Sequence, residues 1–266
     1  MIEAPARSSI EVRGLVKSFG SKVALEGVDL DVAEGEFLTL VGPNGAGKTT
    51  LIRILATLTR PTGGSVRVAG YDLARQGNEV RRRIGLASHQ TLLYGDLSAE
   101  ENLRFYGRMY DVPDLEEGIT ALLQRVDLDH RRHDLVRTFS RGMQQRLSLA
   151  RALLHDPAIL LLDEPYTGLD QHAAEMLREV LAALAPPLSP PTLGGKMKGG
   201  AKSRTVLMTT HNLERGLELC DRVAILFNGR LVHQADKSQL DVAGFREIYR
   251  CCIDVSRFTF HGGVGR

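Results

Sequence analysis

Apolar and polar positions alternate through IEVRGLVKSFG and KVALEGVDLDV, a period of two that predicts β-strands on either side of a break at Gly20 and Ser21. FLTLVG is apolar without alternation and predicts a short strand buried on both faces. In KTTLIRILATLT the residues Leu51, Ile54, Leu55 and Leu58 fall at helical spacing, and the pattern stops before Pro61. SVRVAG and RRIGLAS predict further strands, and residues 98–155 turn helical in AEENLRFYGRMY, LEEGITALLQRV and SRGMQQRLSLARALL. AILLLD predicts another buried strand, AAEMLREVLAAL a helix and TVLMTTH a strand. Asn228-Gly229 within RVAILFNGRLV predicts a hairpin, with a short helical stretch and a Gly-rich tail after it. Strands alternating with helices predict an α/β fold, a mainly parallel sheet with helices on its faces and a helical side lobe.

Composition narrows the function. The chain has 266 residues, 43% of them hydrophobic and 25% charged, and Lys plus Arg number 34 against 32 for Asp plus Glu. Such a near-neutral balance does not mark a polyanion binder, and no nucleic-acid partner is expected. The three cysteines, Cys220, Cys251 and Cys252, suit neither a disulfide framework nor a C-x-x-C metal pair, so a reducing compartment is expected and the vicinal pair is read as inert. MIEAPARSSI lacks the basic start and apolar stretch of a signal peptide. No apolar run approaches the roughly 18 residues that cross a bilayer, so any membrane role is expected to come through a partner. Residues 185–204, APPLSPPTLGGKMKGGAKSR, hold four prolines, four glycines and three lysines, which reads as a mobile insertion, inert or a basic tether. The expected organisation is one domain over residues 1–240, with a helical subdomain at about 90–155, and a C-terminal helical stretch and tail over 241–266.

The chemistry starts at GPNGAGKTT. Gly42, Pro43, Asn44, Gly45, Ala46, Gly47, Lys48 and Thr49 fit G-x-x-x-x-G-K-[ST] at every fixed position, and Thr50 follows. The strand before and helix after are the context that this phosphate loop needs. Glycines let successive N–H groups converge on phosphate oxygens, and the helix N-terminus adds a favourable dipole. Lys48 is then placed for the β- and γ-phosphates, and the Thr49 hydroxyl for Mg²⁺. AILLLDEP supplies Asp163 and Glu164 at the C-terminal end of a buried strand, where ligands of parallel sheets bind. Asp163 is expected to hold Mg²⁺ through water, and Glu164 to polarise the attacking water.

With these residues in this order, the chain resembles the nucleotide-binding subunit of an ATP-binding cassette (ABC) transporter over residues 10–232. The resemblance implies a P-loop NTPase fold of the ABC ATPase type with N-terminal antiparallel strands, and ATP and Mg²⁺ as ligands. It also implies a head-to-tail homodimer or heterodimer, and a separate transmembrane permease on whose cytoplasmic side the subunit sits at the inner or plasma membrane. Phe19 would stack on adenine, with a plain core phenylalanine as the alternative; His211, ending TVLMTTH, would be the switch that contacts the γ-phosphate. Asp170, in Thr167-Gly168-Leu169-Asp170, falls in the D-loop. The signature, usually Leu-Ser-Gly-Gly-Gln, is here Phe139-Ser140-Arg141-Gly142-Met143; Ser140, Arg141, Gly142 and Met143 would meet the γ-phosphate bound to the other subunit. Where the family carries its Gln-loop glutamine this chain has His89, with Gln90 one step later, and either side chain could be the neutral metal ligand. The His-Gln pair, Leu92-Leu93-Tyr94 and the altered signature are similar to haem-exporter ATPases of cytochrome c maturation, and they shade into drug and lipid exporters. A soluble ABC ATPase and a regulatory module with an inactive site are the competing classes.

Overall fold

Alternation builds the first sheet. The computed structural model describes residues 8–183 and 204–261, with side chains as far as Cys252. Strands β1 (Ser8–Phe19) and β2 (Lys22–Ala33) form an antiparallel hairpin that closes at Gly20 with φ 59. With β4 (Gly63–Val68) and β5 (Tyr71–Asp72) they make a four-stranded sheet of order β2-β1-β4-β5. Ile10, Val12, Leu15, Leu25, Val28 and Leu30 all turn into the core.

The second sheet has six strands in the order β10-β9-β3-β8-β7-β6: β3 (Phe37–Val41), β6 (Ile84–Ala87), β7 (Ile159–Asp163), β8 (Thr205–Thr210), β9 (Arg222–Phe227) and β10 (Arg230–Asp236). All its pairings are parallel except the β9–β10 hairpin, which turns at Asn228 and Gly229 with φ of 46 and 76. Those left-handed angles are what a two-residue type I′ turn demands. β3, β7 and β8 are buried along their whole length, as strands covered on both faces are, with Thr39 of β3 and the three threonines of β8 buried among the apolar residues. Alternate residues of β3 divide between two cores. Leu38 and Leu40 face the antiparallel sheet and α1 (Lys48–Leu55), while Phe37 and Val41 face Leu149, Leu177 and Phe245 on the opposite side.

Helix α1 ends earlier than its apolar spacing predicts. Thr57 takes φ 61, Leu58 N–H donates to Arg53 O at 2.8 Å and Thr57 N–H donates to Ile54 O at 2.9 Å, a Schellman stop with threonine where glycine is usual. The short α2 (Gly77–Arg81) and β5 were not expected, because neither is long enough to show a period. Helices α3 (Ala99–Met109), α4 (Leu115–Arg125) and α5 (Arg141–Leu153) form the lobe around Leu103, Ile119, Leu123 and Leu147. Ser98 and Glu101 close a full capping box on α3. One turn later, fully buried Asn102 accepts from Tyr94 N–H at 2.8 Å and donates toward the carbonyls of Tyr94, Leu97 and Ser98 at 3.0, 3.3 and 2.9 Å, fixing the turn before α3.

Helix α6 (Gln171–Ala182) covers the sheet, and α7 (Leu213–Glu218) packs on β3 and β8. The C-terminal helix is longer than expected: α8 (Val242–His261) has 20 residues and seats fully buried Phe245 in the core beside Leu217, Cys220 and Ile225. Burying such a ring contributes about 2 kcal/mol. Burial also pushes the Cys220 thiol up to about 11, which leaves it protonated and unreactive at neutral pH. The Pro/Gly-rich insertion lies outside the described residues apart from Arg204, which pairs with Asp156.

The lobe meets the sheet where α5 crosses β6, and there the fit leaves no room for a side chain. A Cβ on Gly85 would stand 2.2 Å from Ala152 O and 2.9 Å from Pro157 Cγ. Gly85→Ala is therefore expected to cost about 1 to 3 kcal/mol, because backbone rather than a side chain must give way. Urea unfolding measures it, and a midpoint equal to that of the unaltered protein would show that the contact is not tight.

Candidate functional site

The parallel register assembles the site. Val41 pairs with Thr210, and Asp163 with Thr209, so β3, β7 and β8 end level with one another and hand their next residues to one edge of the sheet. Beyond β3 comes the loop of residues 42–50. Gly42 cannot carry a Cβ, which would meet Leu226 O at 2.2 Å; Gly47, at φ 110, would place one 2.6 Å from Ala24 O. Gly47 caps α1 with no side-chain hydrogen bond, and the first turn of the helix has no acidic residue. The first N–H groups of α1 are thus left to an external acceptor, the arrangement that binds anions.

Lys48 is 5% exposed, and its Nζ donates to Gly42 O at 2.6 Å and Pro43 O at 3.2 Å. Its counter-charge is Glu164, whose Oε1 lies 3.3 Å away. The other carboxylate oxygen, Oε2, accepts from His211 Nδ1 at 2.8 Å, His211 N–H at 3.3 Å and the Thr167 hydroxyl at 3.3 Å. The backbone of Glu164 is left-handed, φ 52, which a side chain seldom adopts and which costs about 1 to 2 kcal/mol. The reversal lets the residue after a straight strand aim back at Lys48 and His211. Its own N–H is satisfied by Thr209 O at 3.1 Å and Thr209 Oγ1 at 3.2 Å.

Asp163 is 4% exposed, and its Oδ1 accepts from the hydroxyls of Thr49 at 3.1 Å and Thr209 at 2.7 Å. A buried carboxylate beside a hydroxyl offers hard oxygen donors. That set fits Mg²⁺, which takes few protein ligands and keeps water and phosphate oxygens for the rest. No cluster of three His, Cys, Asp or Glu suited to a metal occurs among the described residues.

Two adjoining clefts share Asn44, Thr49 and Glu164. One, of about 410 Å³, holds Gly45, Ala46, Gly47, Lys48 and Thr50 and reaches Phe19. Phe19 is 53% exposed, so it is not a core residue, and Lys17 Nζ sits 4.6 Å above its ring. The other, of about 440 Å³, runs from Asp163 and His211 to a facing wall with His89 and Gln90. Both Gln-loop candidates therefore look across at Thr49 and Asp163. The His89 ring is met by Arg141, whereas at Gln90 it is the backbone carbonyl that accepts, from Ser88 Oγ at 2.7 Å.

The signature residues stand apart. Ser140 caps α5, its Oγ accepting from Met143 N–H at 3.3 Å, and none of Ser140, Arg141, Gly142 and Met143 lines either cleft. Asp170 caps α6 through Ala173 N–H at 2.8 Å. Thr209 is a site residue that the motifs do not name, and Thr167, named only as the start of the D-loop segment, reaches Glu164 with its hydroxyl. In the sequence Thr209 is only the first of two threonines between an apolar run and His211.

Comparisons with known proteins agree with this geometry. The family model described as ABC transporter matches residues 25–167. The daunorubicin resistance ATP-binding protein DrrA3 of Streptomyces coeruleorubidus is 38% identical over 245 residues, covering 91% of this chain and 73% of that protein. The Nod factor export ATP-binding protein I of Cupriavidus pinatubonensis is 36% identical over 242 residues, covering 90% and 70%. Among solved structures, an ATP-binding subunit of an ABC transporter superposes with a TM-score of 0.73 at 29% identity, covering 86% of this chain and 90% of that one. A dimeric ATP-binding cassette in a post-hydrolysis state with ADP and Pi gives 0.73 at 25% identity, covering 86% and 98%. A phosphate loop, a paired acid and base at the same sheet edge, and these relatives lead to one conclusion: the chain belongs to the ABC transporter family, as an ATP-binding subunit with ATPase activity.

Proposed function

We propose that this subunit powers an exporter, working as a head-to-tail dimer beneath a separate membrane permease. The observation that carries the reading is the meeting of Lys48, Thr49, Asp163, Glu164 and His211 at one edge of three adjacent parallel strands. Phe19 offers its exposed ring to adenine, and the N–H groups of residues 42–50 take the phosphate oxygens. Lys48 then turns from Glu164 toward the β- and γ-phosphates. Relieved of that partner, the Glu164 carboxylate accepts a proton from water as the water attacks the γ-phosphorus; the bond to the β-phosphate oxygen breaks, and ADP and phosphate leave. His211, held by Glu164, steadies the water and the γ-phosphate. Magnesium, when bound, neutralises charge on the phosphate oxygens; Thr49, Asp163 and Gln90, or His89 in its place, are the residues that would hold it.

The dimer is supported by the placement of Ser140, Arg141, Gly142 and Met143 outside their own chain's clefts, at the N-terminus of α5, where a phosphate on a second subunit would be met. ATP would then stabilise contacts that exist only when two subunits close, and hydrolysis would remove them. Among the described residues no helix is long and apolar enough to cross a membrane. A docking face for the permease is supported by exposed Leu92, Tyr94, Phe105 and Met109, with the Tyr94 and Phe105 rings 5.0 Å apart. Export is supported by the relatives' names. They favour a drug-type or Nod-factor-type cargo; haem rests on the His89-Gln90 and Phe-Ser-Arg-Gly-Met resemblance.

Glu164→Gln is expected to keep ATP binding, to slow hydrolysis by about a hundredfold or more, and to accumulate an ATP-bound dimer. Gel filtration with ATP and phosphate release test it together, and full turnover or an exclusively monomeric protein would reject the assignment. Lys48→Ala removes the phosphate contact and strands the Glu164 charge, so nucleotide binding, followed by fluorescence titration, should be lost. Asp96, whose pair with Arg137 at 2.8 Å is highly exposed, contributes little to stability. Asp96→Lys with Tyr94→Ala should therefore abolish cargo export while the isolated subunit's ATPase rate stays unchanged; undiminished export would remove the docking face from this turn.

A further inference from the structure

We propose that Arg141, besides belonging to the signature, is a positioning residue for its own subunit's Gln-loop and D-loop, acting through His89 and the Thr167 carbonyl. Its Nη2 lies 2.7 Å from His89 Nδ1 and 3.2 Å from Nε2, and its Nε–H donates to Thr167 O at 3.4 Å. A guanidinium only donates, so the imidazole nitrogen that it meets supplies a lone pair. Gly168, at φ 76, makes the approach possible, because a Cβ there would stand 2.7 Å from Arg141 Nε and 2.9 Å from Cδ. Any other residue at 168 would push the guanidinium off the D-loop.

The same helix holds the same loop twice more. Ser148 Oγ donates to Thr91 O at 3.2 Å, and Arg151 Nη2 donates to Leu86 O at 2.7 Å. Residues 141, 148 and 151 fall near one face of α5, which therefore grips residues 86–91 along its length. The Arg141 contact is the one that also reaches the D-loop. His89 and Thr167 line the cleft that contains Thr49 and Asp163, so the tilt of α5 sets how far the Gln-loop donors stand from those oxygens. The contact is exposed and worth little to stability. Its value is geometric, since small displacements of a positioning group cost rate. Lysine, a point charge without the planar fork, cannot serve His89 and Thr167 together.

The inference rests on the ATPase reading and is tested by a double-mutant cycle with a second readout that does not need activity. Arg141→Ala and His89→Ala should each lower kcat for ATP about tenfold with KM changed less than about twofold, and the double variant should be no slower than either single one. Arg141→Lys should recover only part of the rate. Multiplying effects in the double variant, as two independent phosphate contacts would give, or a change confined to KM, would overturn the proposal. In parallel, hydrogen exchange of the Arg141→Ala protein should quicken at residues 86–91 and 165–169 while the interior of α5 is unaltered. Unchanged exchange at both loops overturns the positioning role whatever the rates; an unaltered protein that fails to hydrolyse ATP would refute the ATPase reading and leave the exchange result decisive for this one.

Discussion

A buried ammonium has to be answered by negative charge, and around Lys48 that demand organises the site. Two loop carbonyls and the Glu164 carboxylate answer it. In the proposed reaction the acid that neutralises the lysine is also the one that would activate water, so substrate phosphate and Glu164 would compete for one cation. Binding and activation would thereby be linked in a single exchange of partners. The exchange works only if strands far apart in the chain end level, and the register of β3, β7 and β8 provides that.

Much of this was legible in the residues themselves. Unbroken apolar runs marked β3 and β7, and Asn228-Gly229 marked the last hairpin, because glycine and asparagine signal left-handed backbone openly. Thr57 takes the same conformation without such a signal, so the end of α1 was placed too late. β5 and α2 were missed because a period needs length to be seen. In the site, Lys48 and Glu164 could be named from motifs, but their pairing could not, since no local pattern encodes a contact between residues 116 positions apart. Thr209 was invisible for a different reason: a threonine within a strand is ordinary until the strand's neighbour turns out to end in Asp163. Nor does the sequence pair Arg141 with His89, 52 positions apart.

The family relationship accounts for what the parts do, and the departures show where this chain is its own. Phe-Ser-Arg-Gly-Met keeps the serine cap of α5 and adds a guanidinium that the usual signature lacks at that place. In this fold the added charge meets the ring of His89, the residue that the family resemblance would set at the usual glutamine's place, with Gln90 as the other candidate. The two substitutions thus meet in space, and an explanation of either one alone would be incomplete.

The turn in front of α3 has a mechanical consequence. Asn102, fully buried, ties Tyr94, Leu97 and Ser98 to the first turns of the helix with one side chain. The amide bridges the two ends of the turn, so Tyr94 and the start of α3 are tied into one unit. The turn is thus braced from within, and a displacement of Tyr94 would carry the first turn of α3 with it.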